Sequence, residues 1–161
     1  KRDLKVSDWN AVVALATEAL STKSKDVQIA AWLTEGLLKQ HGFAGLRDGL
    51  RVLRELQERF WESLYPAAED EDLEPRAGPL EWLNEKLPAD VKSVSVTRSR
   101  DGLSYSWLQW EESRKVENLG RQNPEAKVEA LAEGKISAEQ FDKAVAPTPR
   151  AFYAGLFADP S

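Results

Sequence analysis

The spacing of apolar and polar positions is helical over most of the chain, and most clearly between residues 24 and 66. Apolar side chains recur every three or four positions over residues 27–38 and again over residues 46–64. The first run is apolar on nearly every face, which is typical of a helix in the middle of a bundle. The pattern predicts two long helices, with Ser24 as the N-cap of the first and Gly42 as the break between them.

Small residues and tryptophans in this stretch indicate how these helices pack. Gly45 and Gly49 lie four positions apart on one helical face, so another backbone can approach closely there. Trp32 and Trp61 lie in apolar stripes of the two predicted helices, and Trp82 lies in a third, predicted over residues 74–86 and closed by Pro88. We therefore assign all three tryptophans to the core.

Start and stop signals continue at high density toward the C-terminus. Ser106 with Gln109, and Ser137 with Gln140, each form the pattern of a capping box. Asn123 followed by proline is a further helix start. Together these signals predict an all-α protein, a multi-helix bundle of about seven to eight helices.

One segment departs from the helical period. Near residues 93–105, valines alternate with serine and threonine, and Asp101-Gly102 is a turn signal. A short β-hairpin and an irregular loop both fit this pattern, and the choice between them stays open.

Composition describes an ordinary soluble domain. The chain has 161 residues, of which 42% are hydrophobic and 30% charged, which suits a single helical domain over residues 1–161. The net charge of −5 with interleaved basic residues argues against nucleic acid as a partner. No apolar run reaches the roughly 18–20 residues of a membrane span. Since the chain begins at Lys1 and contains no methionine, we expect it to be a fragment of a longer protein.

The sequence contains no strong pattern of catalytic or metal-binding residues. His41 is the single histidine, and we interpret it as a residue of the last helical turn that interacts with the terminal carbonyls. The chain has no cysteine. The acidic run at residues 69–72 lacks the spacing of a calcium loop, and a solvated loop that complements the next helix dipole is the stronger interpretation. We predict no catalytic residue, no cofactor site and no metal site.

Aromatic residues are the one compositional excess, with six tryptophans in the chain. Large aromatic side chains serve both as core residues and as anchors of protein interfaces. Two aromatic segments in the second half are candidates for binding a partner. The candidate partner-binding residues are Tyr105, Trp107, Trp110, Phe152, Tyr153, Leu156 and Phe157.

Several segments of the sequence resemble the N-terminal domain of the ImpA/TssA family of the bacterial type VI secretion system. They are SKDVQIAAWLTEGLL, GFAGLRDGLRVL and FWESLYP, followed by EDEDLEPR and LEWL. Upstream, DWNAVVALATEAL is similar to the helix that the family places before its Ser-Lys-Asp. The resemblance is strong from Trp9 to Leu83 and weak beyond.

The resemblance implies a non-enzymatic assembly or docking domain of a cytoplasmic secretion component. The implied partners are proteins of the baseplate, the tail sheath or tube, and the membrane complex, and the full-length protein is expected to be a homo-oligomer through a separate C-terminal region. Two other classes of function remain open, namely a regulatory module that binds a helix of another protein and a small hydrolase that uses His41 or the acidic loop.

Overall fold

The computed structural model describes residues 7–68, 72–99 and 102–157. These residues form seven α-helices and one 3₁₀ turn without a strand, so the predicted all-α fold is confirmed for the described part of the chain. The chain divides into two compact units, Lys1–Val91 and Lys92–Ser161, which are described separately below. The single domain over residues 1–161 stays a prediction.

Unit 1 is built on helices α1 (Trp9–Thr22), α2 (Val27–Phe60) and α3 (Glu74–Lys92), with a 3₁₀ turn at Trp61–Ser63. Aspartates cap the first two helices. Asp8 accepts from the amide of Ala11, and Asp26 accepts from the amides of Gln28 and Ile29. The prediction of Ser24 as the cap of α2 was wrong by two positions, because a carboxylate stands closer to the free amides of the first turn.

Helix α2 is a hairpin of two arms, residues 27–41 and 43–60, broken at Gly42. Gly42 has φ 60° and ψ −137°, a conformation that residues with a side chain rarely adopt, so the predicted break is confirmed. Main-chain hydrogen bonds also join the start of the first arm to the segment that follows the second arm. The amide of Val27 donates to Tyr65 O at 2.9 Å, and the amide of Tyr65 donates to Lys25 O at 2.7 Å.

The two arms touch through glycines, as the sequence predicts. A Cβ placed on Gly49 would lie 2.6 Å from the Cα of Thr34 on the opposite arm. A Cβ on Gly45 would lie 2.0 Å from the carbonyl oxygen of Leu37. Both separations are shorter than any relaxed contact, so the hairpin requires glycine at these positions.

The core of unit 1 lies between α1, the two arms of α2 and α3. Its members are small or branched apolar side chains, buried almost completely. They are Ala16, Leu20, Val27, Ala30, Ala31, Leu33, Leu53, Leu56, Leu64 and Leu83.

Two of the three tryptophans assigned to this core are in fact exposed. Trp32 is 46% exposed and Trp61 is 42% exposed, whereas Trp82 packs against the core as predicted. Apolar stripes cover most of α2, and the neighbouring helices use only part of that surface.

Helix α3 passes through Pro88 and ends at Lys92, so the predicted stop at Pro88 was wrong. Proline removes the hydrogen bond to the carbonyl four residues earlier, which belongs to Asn84. Both residues lie on the exposed side, so water can satisfy that carbonyl.

Unit 2 contains α4 (Trp107–Gln122), α5 (Pro124–Ala132), α6 (Ala138–Val145) and α7 (Arg150–Phe157). Both predicted capping boxes are present, at Ser106 with Gln109 and at Ser137 with Gln140. The side chain of Asn123 caps α5 ahead of its first-turn proline, also as predicted. Local signals therefore locate these helix starts to the residue.

The segment before α4 reverses direction without forming a strand among the described residues. An isolated antiparallel bridge joins Ser95 to Ser106. Tyr105 O accepts from the amides of Val96 and Thr97 at 2.8 and 3.2 Å, and the Tyr105 amide donates to Thr97 Oγ1 at 2.9 Å. Of the two open alternatives, the irregular loop describes this segment better, although its main chain bonds across as a hairpin would.

None of the helices in the described residues combines the length and apolar character needed to cross a membrane.

Candidate docking surfaces

An apolar groove runs along α1 and the first arm of α2 in unit 1. Its lining, which we call the tryptophan groove, is Trp9, Val12, Leu15, Ala16, Ala19, Ile29, Trp32, Glu35 and Trp82. The groove is open to solvent and has a volume of about 520 Å³. Leu15 is 66% exposed and Trp32 is 46% exposed, so apolar side chains on both sides of the groove are open to solvent.

Gly36 positions the wall that α1 contributes to this groove. A Cβ on Gly36 would lie 2.9 Å from Val13 Cγ2 and 3.8 Å from the ring of Trp9. Helix α1 therefore lies close against the first arm of α2, and the larger side chains of both helices project beyond this contact. The walls of the groove are thus fixed by core packing.

Charged side chains gather at the Glu35 side of the groove. Lys39 Nζ lies 2.5 Å from Asp90 Oδ1 and 5.8 Å from the centre of the Trp9 ring. Burial raises the pKa of Glu35, and the neighbouring Asp90 raises it further, while Lys39 and Lys86 act in the opposite direction. Glu35 is the single charged residue in the described lining of the groove.

This pKa shift predicts a pH dependence of stability. Since the pKa of Glu35 is raised above its ordinary value of 4.5, the folded state holds the proton more tightly than the unfolded chain does. The stabilisation is fully present below the ordinary pKa and is lost as the pH rises through the folded-state pKa. We expect urea midpoints of the wild type to fall relative to those of Glu35→Gln as the pH rises above the ordinary pKa of glutamate, about 4.

Glu139→Gln is the control of opposite sign. A hydrogen bond from Lys143 lowers the pKa of Glu139, so its stabilisation is present above the ordinary glutamate pKa and lost as the pH falls. If the difference between wild type and Glu35→Gln did not change with pH, the assignment of a raised pKa to Glu35 would be wrong.

A second exposed surface, the aromatic corner, lies at the end of the hairpin in unit 1. It consists of Phe60, Trp61, Tyr65 and Leu73, all of them exposed. The peptide bond from Tyr65 to Pro66 is cis.

A buried cation supports the aromatic corner from below. The Nε of Arg76 donates to Pro66 O and its Nη2 donates to Leu64 O, both at 2.8 Å. The guanidinium also lies 4.5 Å from the centre of the Trp61 ring. Arg76 is itself buried, so these contacts hold the corner in one conformation.

In unit 2 the capping box of α4 places two tryptophans on the first turn of the helix. The rings of Trp107 and Trp110 stack with centroids 4.4 Å apart, and Trp107 is 44% exposed. The guanidinium of Arg114 lies 5.6 Å from the Trp110 ring and donates hydrogen bonds to both carboxylate oxygens of Asp142.

Four of the other predicted partner-binding residues, Tyr105, Phe152, Tyr153 and Leu156, are half-buried. The ring of Tyr105 lies 6.1 Å from that of Phe141, and Phe152 meets Tyr153 edge-on at 5.8 Å. Leu156 is half-buried on the same short helix, and the side chain of Phe157 lies outside the described part of the structure. The structure brings together Trp107 with Trp110 and Phe152 with Tyr153, and their role in partner binding stays a prediction.

Three comparisons with known proteins bear on this geometry. The family described as ImpA, N-terminal, type VI secretion system, matches residues 1–85. The chain belongs to the ImpA N-terminal family. Both unit 1 surfaces of this family member, the tryptophan groove and the aromatic corner, fall within the matched residues.

Relatives extend the ImpA N-terminal match in sequence and in structure. The type VI secretion system component TssA1 of Pseudomonas aeruginosa is 39% identical over 97 residues, covering 58% of this chain and 28% of that protein. A solved N-terminal domain, which includes the ImpA N-terminal region of the TssA component from Burkholderia cenocepacia, is 36% identical with a TM-score of 0.88. That match covers 96% of this chain and 61% of the solved chain, so this ImpA N-terminal chain spans less than two thirds of each relative.

Neither His41 nor the described end of the acidic run belongs to a metal-binding cluster in the part of this ImpA N-terminal chain that the structure describes. His41 is exposed at the tip of the α2 hairpin. Asp72 Oδ1 accepts from the amide of Glu74 and so begins α3, as expected of an acidic residue before a helix, while residues 69–71 lie outside the described residues. In the described ranges there is no cluster of three or more histidine, cysteine or acidic residues able to hold a metal ion.

Sequence reasoning missed the exposed residues of unit 1. Trp32 on α2 and Trp61 directly after α2 could have indicated this, since α2 and the turn that follows it have more apolar surface than one core can cover. Leu15, beside the apolar stripe of α1, was a further sign of an open groove.

Proposed function

We propose that the chain is a non-enzymatic docking domain of a TssA-like component of the type VI secretion system, working in the cytoplasm. Its partners would be proteins of the baseplate, the tail sheath or tube, and the membrane complex. Membership of the ImpA N-terminal family supports the secretion-system context. The observation that carries the docking role is the pair of exposed aromatic surfaces on unit 1, within the residues that the family matches.

The physical basis of docking would be a preformed surface. Glycine contacts fix the arms of α2, and Arg76 fixes the aromatic corner. A partner therefore meets side chains that are already in place, so little conformational entropy is lost on binding. Exposed tryptophan and tyrosine supply the anchors that dominate interface energies.

Oligomerisation of the full-length protein would strengthen such docking. The family resemblance implies a homo-oligomer assembled through a separate C-terminal region. Several docking domains on one oligomer convert weak single contacts into strong attachment, because each later contact forms at a high effective concentration.

The test is capture from the native bacterium. The full-length protein, tagged and expressed from its own locus, should retain baseplate, sheath, tube or membrane-complex components, and deletion of residues 1–157 should abolish both retention and secretion. If all these components failed to bind while an unrelated protein did, the proposal would fall in favour of a regulatory module.

His41→Ala separates docking from hydrolysis. His41 is exposed, and a docking domain has no need of an imidazole at the hairpin tip. We expect the variant to secrete at wild-type level, measured as tail-tube protein in the culture medium. Loss of secretion with unchanged protein abundance would favour a histidine-dependent activity.

A further inference from the structure

We propose that the tryptophan groove binds an amphipathic α-helix of a partner protein, with a lysine or arginine of that helix placed beside Glu35. This inference rests on the proposed docking function and names the kind of element that docks. It is carried by the shape of the groove, the chemistry of its walls and the position of its charge.

The walls of the groove select a helix over an extended strand. Both long walls, from α1 and the first arm of α2, are helices whose backbone groups already bond within the helix. A strand laid in the groove would find no backbone partner, and its own amides and carbonyls would be buried without hydrogen bonds. A helix satisfies its own backbone and presents only side chains to the groove.

The length of the groove fits such a helix. Its lining on α1 runs from Trp9 to Ala19, ten residue steps apart along the helix, or about 15 Å at 1.5 Å per residue. Three apolar side chains of a docked helix, at positions i, i+4 and i+7, span about 10 Å and so can all enter it. The incoming side chains would then pack between Leu15 on one wall and Trp32 on the other.

A second copy of the same groove is a poor occupant. A symmetric dimer would set groove against groove, concave surface against concave surface. Only the exposed side chains of Leu15 and Trp32 would then reach across, and they would have to fill about 520 Å³ of groove in each copy. The occupant must therefore project into the groove.

The charge of the lining selects a cation on the docked helix. Glu35 is partly buried beside a second carboxylate, Asp90, and the lysine nearest to that pair, Lys39, bonds to Asp90 Oδ1. Lys39 and Lys86 both favour the charged form of Glu35, but burial and Asp90 outweigh them and raise its pKa. A helix bound over Glu35 would remove more water from its carboxylate, and a lysine or arginine on the helix would offset that loss.

Photocrosslinking identifies the occupant. A benzophenone amino acid at position 15 of the full-length protein, irradiated in the native bacterium, should link to one peptide of a secretion-system component. That peptide should have apolar residues at helical spacing and a lysine or arginine. A crosslink to a second copy of this chain, or to a peptide without helical spacing, would overturn the proposal.

Affinity measurements then test the groove and the charge separately. Leu15→Asp and Trp32→Ala should each weaken binding of the crosslinked component at least about tenfold, with unchanged circular dichroism. Val128→Asp, at an equally exposed valine outside the groove, is the matched control and should bind as the wild type does. Glu35→Lys should weaken binding to a similar degree, and a glutamate in place of the partner's cation should restore it.

The outcomes separate this proposal from the proposed function. If the wild-type protein retains no secretion-system component, the docking function fails. If it retains one and the groove variants bind as tightly as the wild type, the helix-binding groove is wrong and the docking function stands on another surface.

Discussion

Replacing Arg76 with methionine is expected to lower the free energy of unfolding by about 3 kcal/mol, because the buried carbonyl of Leu64 and the half-buried carbonyl of Pro66 each lose a charged donor. Hydrogen bonds from a charged donor contribute about 1.5–3 kcal/mol each, and methionine recovers part of the loss by filling the same space. The measurement is urea unfolding followed by far-ultraviolet circular dichroism.

Arg51→Met is the matched control for this change. Arg51 is 70% exposed in its side chain and pairs with Glu55 one helical turn away. Exposed pairs of this kind contribute little to stability, because water screens both charges. If Arg76→Met and Arg51→Met had the same urea midpoint, Arg76 would not hold the aromatic corner.

Gly49→Ala is expected to destabilise the protein by about 2 kcal/mol, although alanine favours helices. The added methyl would lie 2.6 Å from the Cα of Thr34, and a backbone atom cannot turn aside as a flexible side chain can. The two arms must move apart, which costs about 1–3 kcal/mol in a packed core and outweighs the gain of about 1 kcal/mol in helix propensity.

The same substitution in open space gives the comparison. Gly155 lies on α7, where an added Cβ meets no atom within 4 Å. Gly155→Ala should leave the urea midpoint unchanged or raise it slightly. Equal midpoints for Gly49→Ala and Gly155→Ala would mean that the arms of α2 are free to separate.

Local chemistry explains which parts of the fold could be predicted. A capping box or a helix-ending glycine acts within four residues, so Ser137 with Gln140, and Gly42, could be located from the chain alone. Gly45 and Gly49 could be predicted as contact points because small residues at helical spacing permit close approach. The helix end predicted at Pro88 was wrong, because the effect of a proline depends on whether solvent can satisfy the carbonyl four residues earlier.

Candidate surfaces were harder to predict than helices. An apolar stripe on α2 identifies a side chain that prefers burial, but only the neighbouring helices decide whether Trp32 or Ala31 becomes covered. Trp107 could be assigned to the surface as well as to the core, and it is exposed beside its stacked neighbour Trp110. Burial is a property of the assembled helices and is not fixed by one helix at a time.

The stacked indoles of unit 2 have a spectroscopic consequence. With Trp107 and Trp110 centred 4.4 Å apart, their electronic transitions couple, and coupled chromophores in a chiral arrangement give a paired positive and negative band in circular dichroism. The four other tryptophans all belong to unit 1. The chain therefore carries an intrinsic optical reporter for the first turn of α4, readable without a label.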